Sequence, residues 1–127
     1  MIDARRAYQE TAAQGANPVR LTILLYDQIV QDIARAEIAL QSQDPEACAR
    51  EIGHAVAVIG YLQATLRREP SPKIAGNLNA FCISIREKLM EAQVRSSRKI
   101  LEELKPQLVE VRDAWSKVEE DASVAAG

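Results

Sequence analysis

Three times along the chain a residue suited to capping a helix is followed directly by proline: Asn17-Pro18, Asp44-Pro45 and Ser71-Pro72. Proline lacks a backbone N–H that the first helical turn leaves unpaired anyway, and its fixed φ suits that position. The short polar side chain before it accepts one of the orphan amide protons. Each step therefore predicts a helix start. The stretches between them repeat apolar residues every three or four positions, and none alternates as a strand would. The expected fold is all-α, an antiparallel four-helix bundle with an additional short N-terminal helical segment over 3–14, ended by Gly15. Bundle helices are predicted over 18–42, 45–68, 72–94 and 97–120, with a frayed tail at 121–127. Connections of about two to six residues make consecutive helices antiparallel neighbours.

Each predicted helix offers a core stripe. The first has Val19, Ile23, Tyr26, Val30 and Ile33; the second Cys48, Ile52, Ala55, Ile59, Leu62 and Leu66. The third has Ile74, Leu78, Phe81, Ile85, Leu89 and Ala92; the fourth Leu101, Leu104, Leu108, Val111, Trp115 and Val118. Pro106 falls inside the last pattern, where it removes one backbone hydrogen bond. The apolar phase continues through it, which favours a kinked helix over two separate pieces.

The 127 residues make one domain, 1–127, large enough to bury a core without staples. A formal charge of −2, from 16 basic and 18 acidic residues, argues against a nucleic-acid partner. Arg95, Arg98 and Lys99 form the one basic cluster, at a predicted helix junction. Cys48 and Cys82 have no metal-ligand spacing and read as buried, reduced thiols. No apolar run approaches the ~18 residues a membrane span requires. Nothing hydrophobic follows Met1-Ile2-Asp3-Ala4-Arg5-Arg6, so no secretory signal is expected and the location is cytoplasmic.

The second helix departs from the usual bundle pattern. From Ile52 to Leu66 it contains no Asp, Glu, Lys or Arg, so it lacks the charged face expected of a surface helix. Gly53, Ala57, Gly60 and Ala64 form a row of small residues, placed about 100° round the helix from the core positions. His54, Val58, Tyr61 and Thr65 form a second row, expected further outward still. Glycine inside a helix costs roughly 0.5–1 kcal/mol relative to alanine, so two of them need a packing reason. Three covers fit: the N-terminal segment, a foreign helix or extended segment, or a second copy of the chain. An exposed apolar strip of this length marks an interface.

Catalytic chemistry is absent from the pattern. His54 is the sole histidine, and there is no phosphate loop, HExxH, ExxH pair or CxxC. Glu102, Glu103 and Glu110 read as a solvated face. No enzyme activity, cofactor or metal is expected.

Around the first helix, Tyr8-Gln9, Asn17-Pro18-Val19-Arg20-Leu21 and Leu24-Leu25-Tyr26-Asp27 resemble the FliS flagellar secretion chaperones. So do Asn77-Leu78, Phe81 and Leu89-Met90-Glu91-Ala92, and Val111-Arg112-Asp113-Ala114-Trp115 near the end. The resemblance runs in order from Tyr8 to Glu120, with Gln28 standing where that family usually has glycine. It implies a cytosolic, non-catalytic chaperone that binds the disordered C-terminal segment of flagellin. Such binding would prevent premature polymerisation and keep flagellin competent for type III secretion. The bound segment would wrap the bundle, partly helical, and the flagellar export gate would be a further partner. By the same resemblance, Tyr8 serves the movable cover or the client contact, and Leu24, Tyr26 and Asp27 the groove beside it. Tyr26 reads equally as a core residue with a buried hydroxyl partner. The residues read directly as partner contacts are Gly53, Ala57, Val58, Gly60, Tyr61 and Ala64. The competing reading is a structural or signalling bundle that self-associates, as a weak homodimer, through the second helix.

Overall fold

In the computed structural model, described for residues 18–126 with side chains to Ala122, four long helices carry the chain. They are α1 (Pro18–Gln41), α2 (Pro45–Thr65), α3 (Pro72–Arg95) and α4 (Arg98–Ala126), with a 3-10 turn at Leu66–Arg68. No strand occurs among the described residues. α1 packs closely against α2 and α4, and α3 completes the ring more loosely against the same two helices. The expected 3–14 segment and Tyr8 lie outside the described residues.

Two corners at one end of the bundle are tightly built. Gln43 takes a left-handed φ of 56°, and the amides of Gln43 and Asp44 bond the carbonyls of Leu40 and Ala39. This double closure ends α1. Asp44 then starts α2, its carboxylate accepting from the Ala47 amide at 3.0 Å ahead of Pro45. The α3–α4 corner repeats the device. Ser96 has φ 51°, Ser96 and Ser97 bond Gln93 and Ala92, and the Ser97 hydroxyl accepts from the Ile100 amide at 3.2 Å. One residue thus completes one helix end and caps the next.

The other end is open. α2 is α-helical to Thr65 and continues to Arg68 as a 3-10 turn that tightens the chain before Pro70. Ser71 then caps α3, accepting from Ile74 at 3.3 Å. Here two expected core residues, Ile74 and Val118, are largely exposed, and Leu78 and Phe81 are only half-buried. α3 enters the core from Cys82 onward, through Ile85, Leu89 and Ala92. α4 runs unbroken through Pro106, which lies on its exposed side where water reaches the backbone. The helix continues to Ala126 instead of fraying at 121, in keeping with the high helix propensity of its alanines.

Cross-helix polar contacts set the registers. Along the α1–α4 seam, Arg20 meets Glu119 at 3.3 Å, Asp27 meets Arg112 at 2.8 Å, and Glu37 meets Lys105 at 2.9 Å. Between α2 and α3, Gln63 donates to Asn79 at 3.0 Å and accepts from Arg86. The α1–α2 contact is different in kind, because the Asp32 carboxylate is fully buried. Gln28 Nε2 donates to one oxygen at 2.9 Å, and His54 Nδ1 lies 2.6 Å from the other. Both cysteines are free and buried.

Two stability predictions follow from these contacts. Gln43→Gly and Ser96→Gly relieve left-handed strain, and each raises stability by about 0.5–1 kcal/mol in chemical denaturation. His54→Ala strands the Asp32 carboxylate and lowers stability by about 3 kcal/mol, most of which an Asp32→Leu, His54→Leu double variant restores.

Candidate functional site

The rotation of α2 is fixed from both sides. Cys48, Ile52, Ala55, Val58, Ile59 and Leu62 point into the core. His54 turns toward α1 and Gln63 toward α3. At 100° per residue, what remains opposite the core is Gly53, Ala57, Gly60 and Ala64, and all four are exposed. The small-residue row therefore lies about 180° from the core, not the expected 100°.

The second row changes character. Val58 has 0% exposure and belongs to the core, because it sits at 3–4 residue spacing from Ala55 and Leu62 on the inward stripe. Tyr61 is half-buried and packs against the core, as does His54 where it covers Asp32. The outward surface of α2 is thus the small-residue row, flanked by Tyr61 and His54 on the α1 side.

The two glycines do not admit a close neighbour from within the bundle. A Cβ built at Gly53 or Gly60 meets no atom within 4 Å. Their reason is not an intramolecular packing contact among the described residues.

The first-helix candidates separate. Leu24 is exposed on α1, and the antiparallel register set by Asp32 and His54 places it opposite Tyr61 and Leu62. Tyr26 is buried in the core, the second of the two placements that its sequence left open. Asp27 is half-exposed and held by the Arg112 guanidinium through Nε and Nη2, on the α4 side of α1 away from α2. Of the sequence candidates, Leu24, Gly53, Ala57, Gly60, Tyr61 and Ala64 share one side of the molecule.

That side has a second wall that the sequence reading passed over. Ile83, Met90 and Val94 of α3 are 41%, 48% and 83% exposed, at seven- and four-residue spacing on the face opposite its core stripe. Gly76 and Ala80 continue the same line. The Gln63–Asn79–Arg86 bridge brings this face beside α2, with Gly60 near Ile83 and Gly53 near Met90 in register. The signal was present as a second apolar period on α3, hidden because Glu87 interrupts it. The α3–α4 side carries charge instead. Glu91 is bridged by Lys88 at 3.5 Å and Arg95 at 2.9 Å, and Arg98 reaches Glu102 at 3.4 Å. The basic cluster of the α3–α4 corner is thereby largely paired.

At the open end a cavity of about 250 Å³ lies among all four helices, with Tyr26, Leu62, Leu78, Cys82 and Trp115 in its wall. Burial raises the Tyr26 hydroxyl well above the usual phenol range, an effect the neighbouring Trp115 side chain partly offsets. Burial also pushes the Cys82 thiol up to about 11, with Arg86 acting in the opposite sense. Both groups stay neutral at physiological pH and act as apolar wall.

Among the described residues no group of three His, Cys, Asp or Glu side chains could hold a metal ion. No described helix is long and apolar enough to cross a membrane. The face offers apolar area and shape, and the His54–Asp32 contact at its border serves to hold α1 against α2. These features define an all-α four-helix bundle with one exposed face of small and apolar residues.

A sequence profile described as Flagellar protein FliS matches residues 1–122, and the chain belongs to the FliS family. It is 29% identical over 118 residues to flagellar secretion chaperone FliSB of Pseudomonas aeruginosa, covering 90% of this chain and 94% of the relative. It is 28% identical to flagellar secretion chaperone FliS of Salmonella typhimurium, covering 90% and 85%. The Bacillus subtilis flagellar secretion chaperone FliS is 27% identical, with 86% and 80% covered. The family is one of chaperones, not of enzymes.

Because space beyond both α2 glycines is open, Gly53→Ala and Gly60→Ala each stabilise the free protein by about 0.5–1 kcal/mol, measured by denaturant titration. A loss of stability would mean that something lies against the row.

Proposed function

We propose that the protein is a flagellar secretion chaperone that holds the disordered C-terminal segment of flagellin along the outward face of α2 and its α3 wall. The observation that carries this reading is the outward face of α2, which has no charged residue between Ile52 and Leu66. Gly53, Ala57, Gly60 and Ala64 stand exposed, with Ile83, Met90 and Val94 beside them. Contiguous apolar surface of this kind marks an interaction site. Side chains without bulk let a client backbone approach closely, and the larger α3 residues then flank it. Folding a disordered segment onto the face costs about 2–5 kcal/mol in ordering, which keeps capture reversible.

A held C-terminal segment cannot polymerise, and it reaches the export gate unassembled. The work belongs to the cytoplasm, where flagellin is made. Leu24 and Tyr61 border the α1 side of the face. Tyr8 belongs to the cover or to the client contact. Self-association through the same face is the alternative, and one experiment separates the two.

The full-length protein is sized by light scattering with and without a flagellin C-terminal segment, alongside an Ala57→Glu variant. The expected result is a one-to-one complex whose affinity falls at least about tenfold in the variant. Ala57 is exposed, so the fold is unchanged by circular dichroism. A stable dimer indifferent to the segment contradicts the proposal, as does undiminished capture by Ala57→Glu.

A further inference from the structure

The cavity at the open end is not an accident of loose packing at a frayed terminus. It is lined by residues of all four helices and of the α2–α3 connection, and opens to one side. Its origin is local. The 3-10 turn at Leu66–Arg68 and Pro70 hold the start of α3 away from the bundle, and Ile74 turns outward. Small side chains, Thr65 and Cys82, stand where larger ones would close the gap.

The chemistry of the wall selects an occupant. Leu62, Leu66, Leu78 and Trp115 contribute apolar surface. The hydroxyls are already used: Thr22 donates to the Pro18 carbonyl at 3.1 Å, and Thr65 to that of Leu62 at 2.6 Å. Among the described residues, the buried side-chain polar atoms left without any polar partner lie on Arg35, Glu51, Arg86 and Glu119, none of them in this wall. Arg68 and Glu69, from the turn between α2 and α3, are the charged residues of the wall, and Glu69 already accepts from the Ser71 amide at 3.2 Å. A polar group reaching past them to the Leu62, Leu78 and Trp115 surface would lose its hydrogen bonds to water and find few replacements there. An apolar group loses nothing of the kind.

Size and position complete the case. A dry apolar cavity of about 150 Å³ holds benzene, so about 250 Å³ accommodates a phenyl or isobutyl group with its methylenes. Ala64, the last residue of the outward row on α2, also lines the cavity. A segment lying along Gly53, Ala57 and Gly60 therefore arrives at the mouth.

We propose that this cavity is an anchor pocket that takes one bulky apolar side chain, of phenylalanine or leucine size, from the segment held on α2. The pocket rests on the reading of the α2 face as the client surface. It adds to the smooth row a point of fixed register, since one anchored side chain sets where the rest of the segment lies.

The single tryptophan of the chain, Trp115, lies in the wall and reports occupancy. The experiment titrates the full-length protein with a flagellin C-terminal segment and follows Trp115 emission and affinity. The same is done with a Leu78→Phe, Cys82→Met variant, whose added bulk fills the space from within. The expected result is a blue shift of Trp115 on binding and at least a tenfold weaker affinity in the filled variant, with its Tm at or above that of the parent. A folded filled variant that binds as tightly as the parent overturns the proposal. Should that variant fail to fold, toluene added to the unaltered protein takes its place. Weaker capture in toluene supports the pocket, and unchanged capture overturns it. Ala57→Glu separates the two readings. If it loses capture while the filled variant does not, the α2 face stands and the pocket falls; if neither loses capture, both fall.

Discussion

The buried carboxylate of Asp32 governs how the molecule is arranged. A carboxyl group removed from water must find its hydrogen bonds inside the protein. Asp32 has two partners, the donating Gln28 amide on its own helix and the His54 ring on α2. Satisfying it locks the antiparallel register of α1 and α2 and the rotation of α2 about its axis. With His54 turned toward α1, the core stripe points inward and the small-residue row can only point to solvent. The face proposed to receive the client is in this sense a consequence of a polar contact one residue away from Gly53. A buried pair of this kind adds little net stability over an apolar substitute, but it discriminates strongly against rotated alternatives in which the carboxylate is unpaired.

The two ends of the bundle divide rigidity from access. At the closed end, Gln43 and Ser96 accept left-handed backbone so that two corners can be short, each with a capping side chain already in place. Three ion pairs then run along the α1–α4 seam. At the other end no such corner joins α2 to α3, and the first turns of α3 stand off. The cavity and the outward row therefore lie on and beside a well-fixed frame. A client would meet preformed surface, which reduces the ordering cost to that of the client itself.

Much of this was legible from residue order. The Asp44-Pro45 and Ser71-Pro72 steps located helix starts because capping and proline chemistry are local. The small-residue row was legible for the same reason, being a property of one helix. Its angular position was not. Spacing alone cannot say which of several apolar rows on α2 faces inward when none carries charge, and Val58 was placed outside on that account. The tie-breaker is Asp32, a contact 22 residues away in sequence. Tyr26 was left between core and groove, and its burial is decided by packing around Trp115 and Cys82. The wall on α3 escaped because Glu87 breaks an otherwise regular Ile83, Met90, Val94 line. Gln28, noted only as a departure from glycine, supplies the second hydrogen bond to Asp32. The cavity had no sequence signal, since it arises from how far α3 stands from its neighbours.

The central claim is that one side of the bundle, the α2 row with its α3 wall, receives the client. The most direct measurement is an NMR comparison of the full-length protein alone and with a flagellin C-terminal segment, following backbone amides and side-chain methyls. The account predicts that shifts concentrate at Gly53, Ala57, Gly60, Ala64, Ile83 and Met90, while the charged α3–α4 side around Lys88, Glu91 and Arg95 stays unmoved. Shifts confined to that charged side, with the α2 row unchanged, would contradict it.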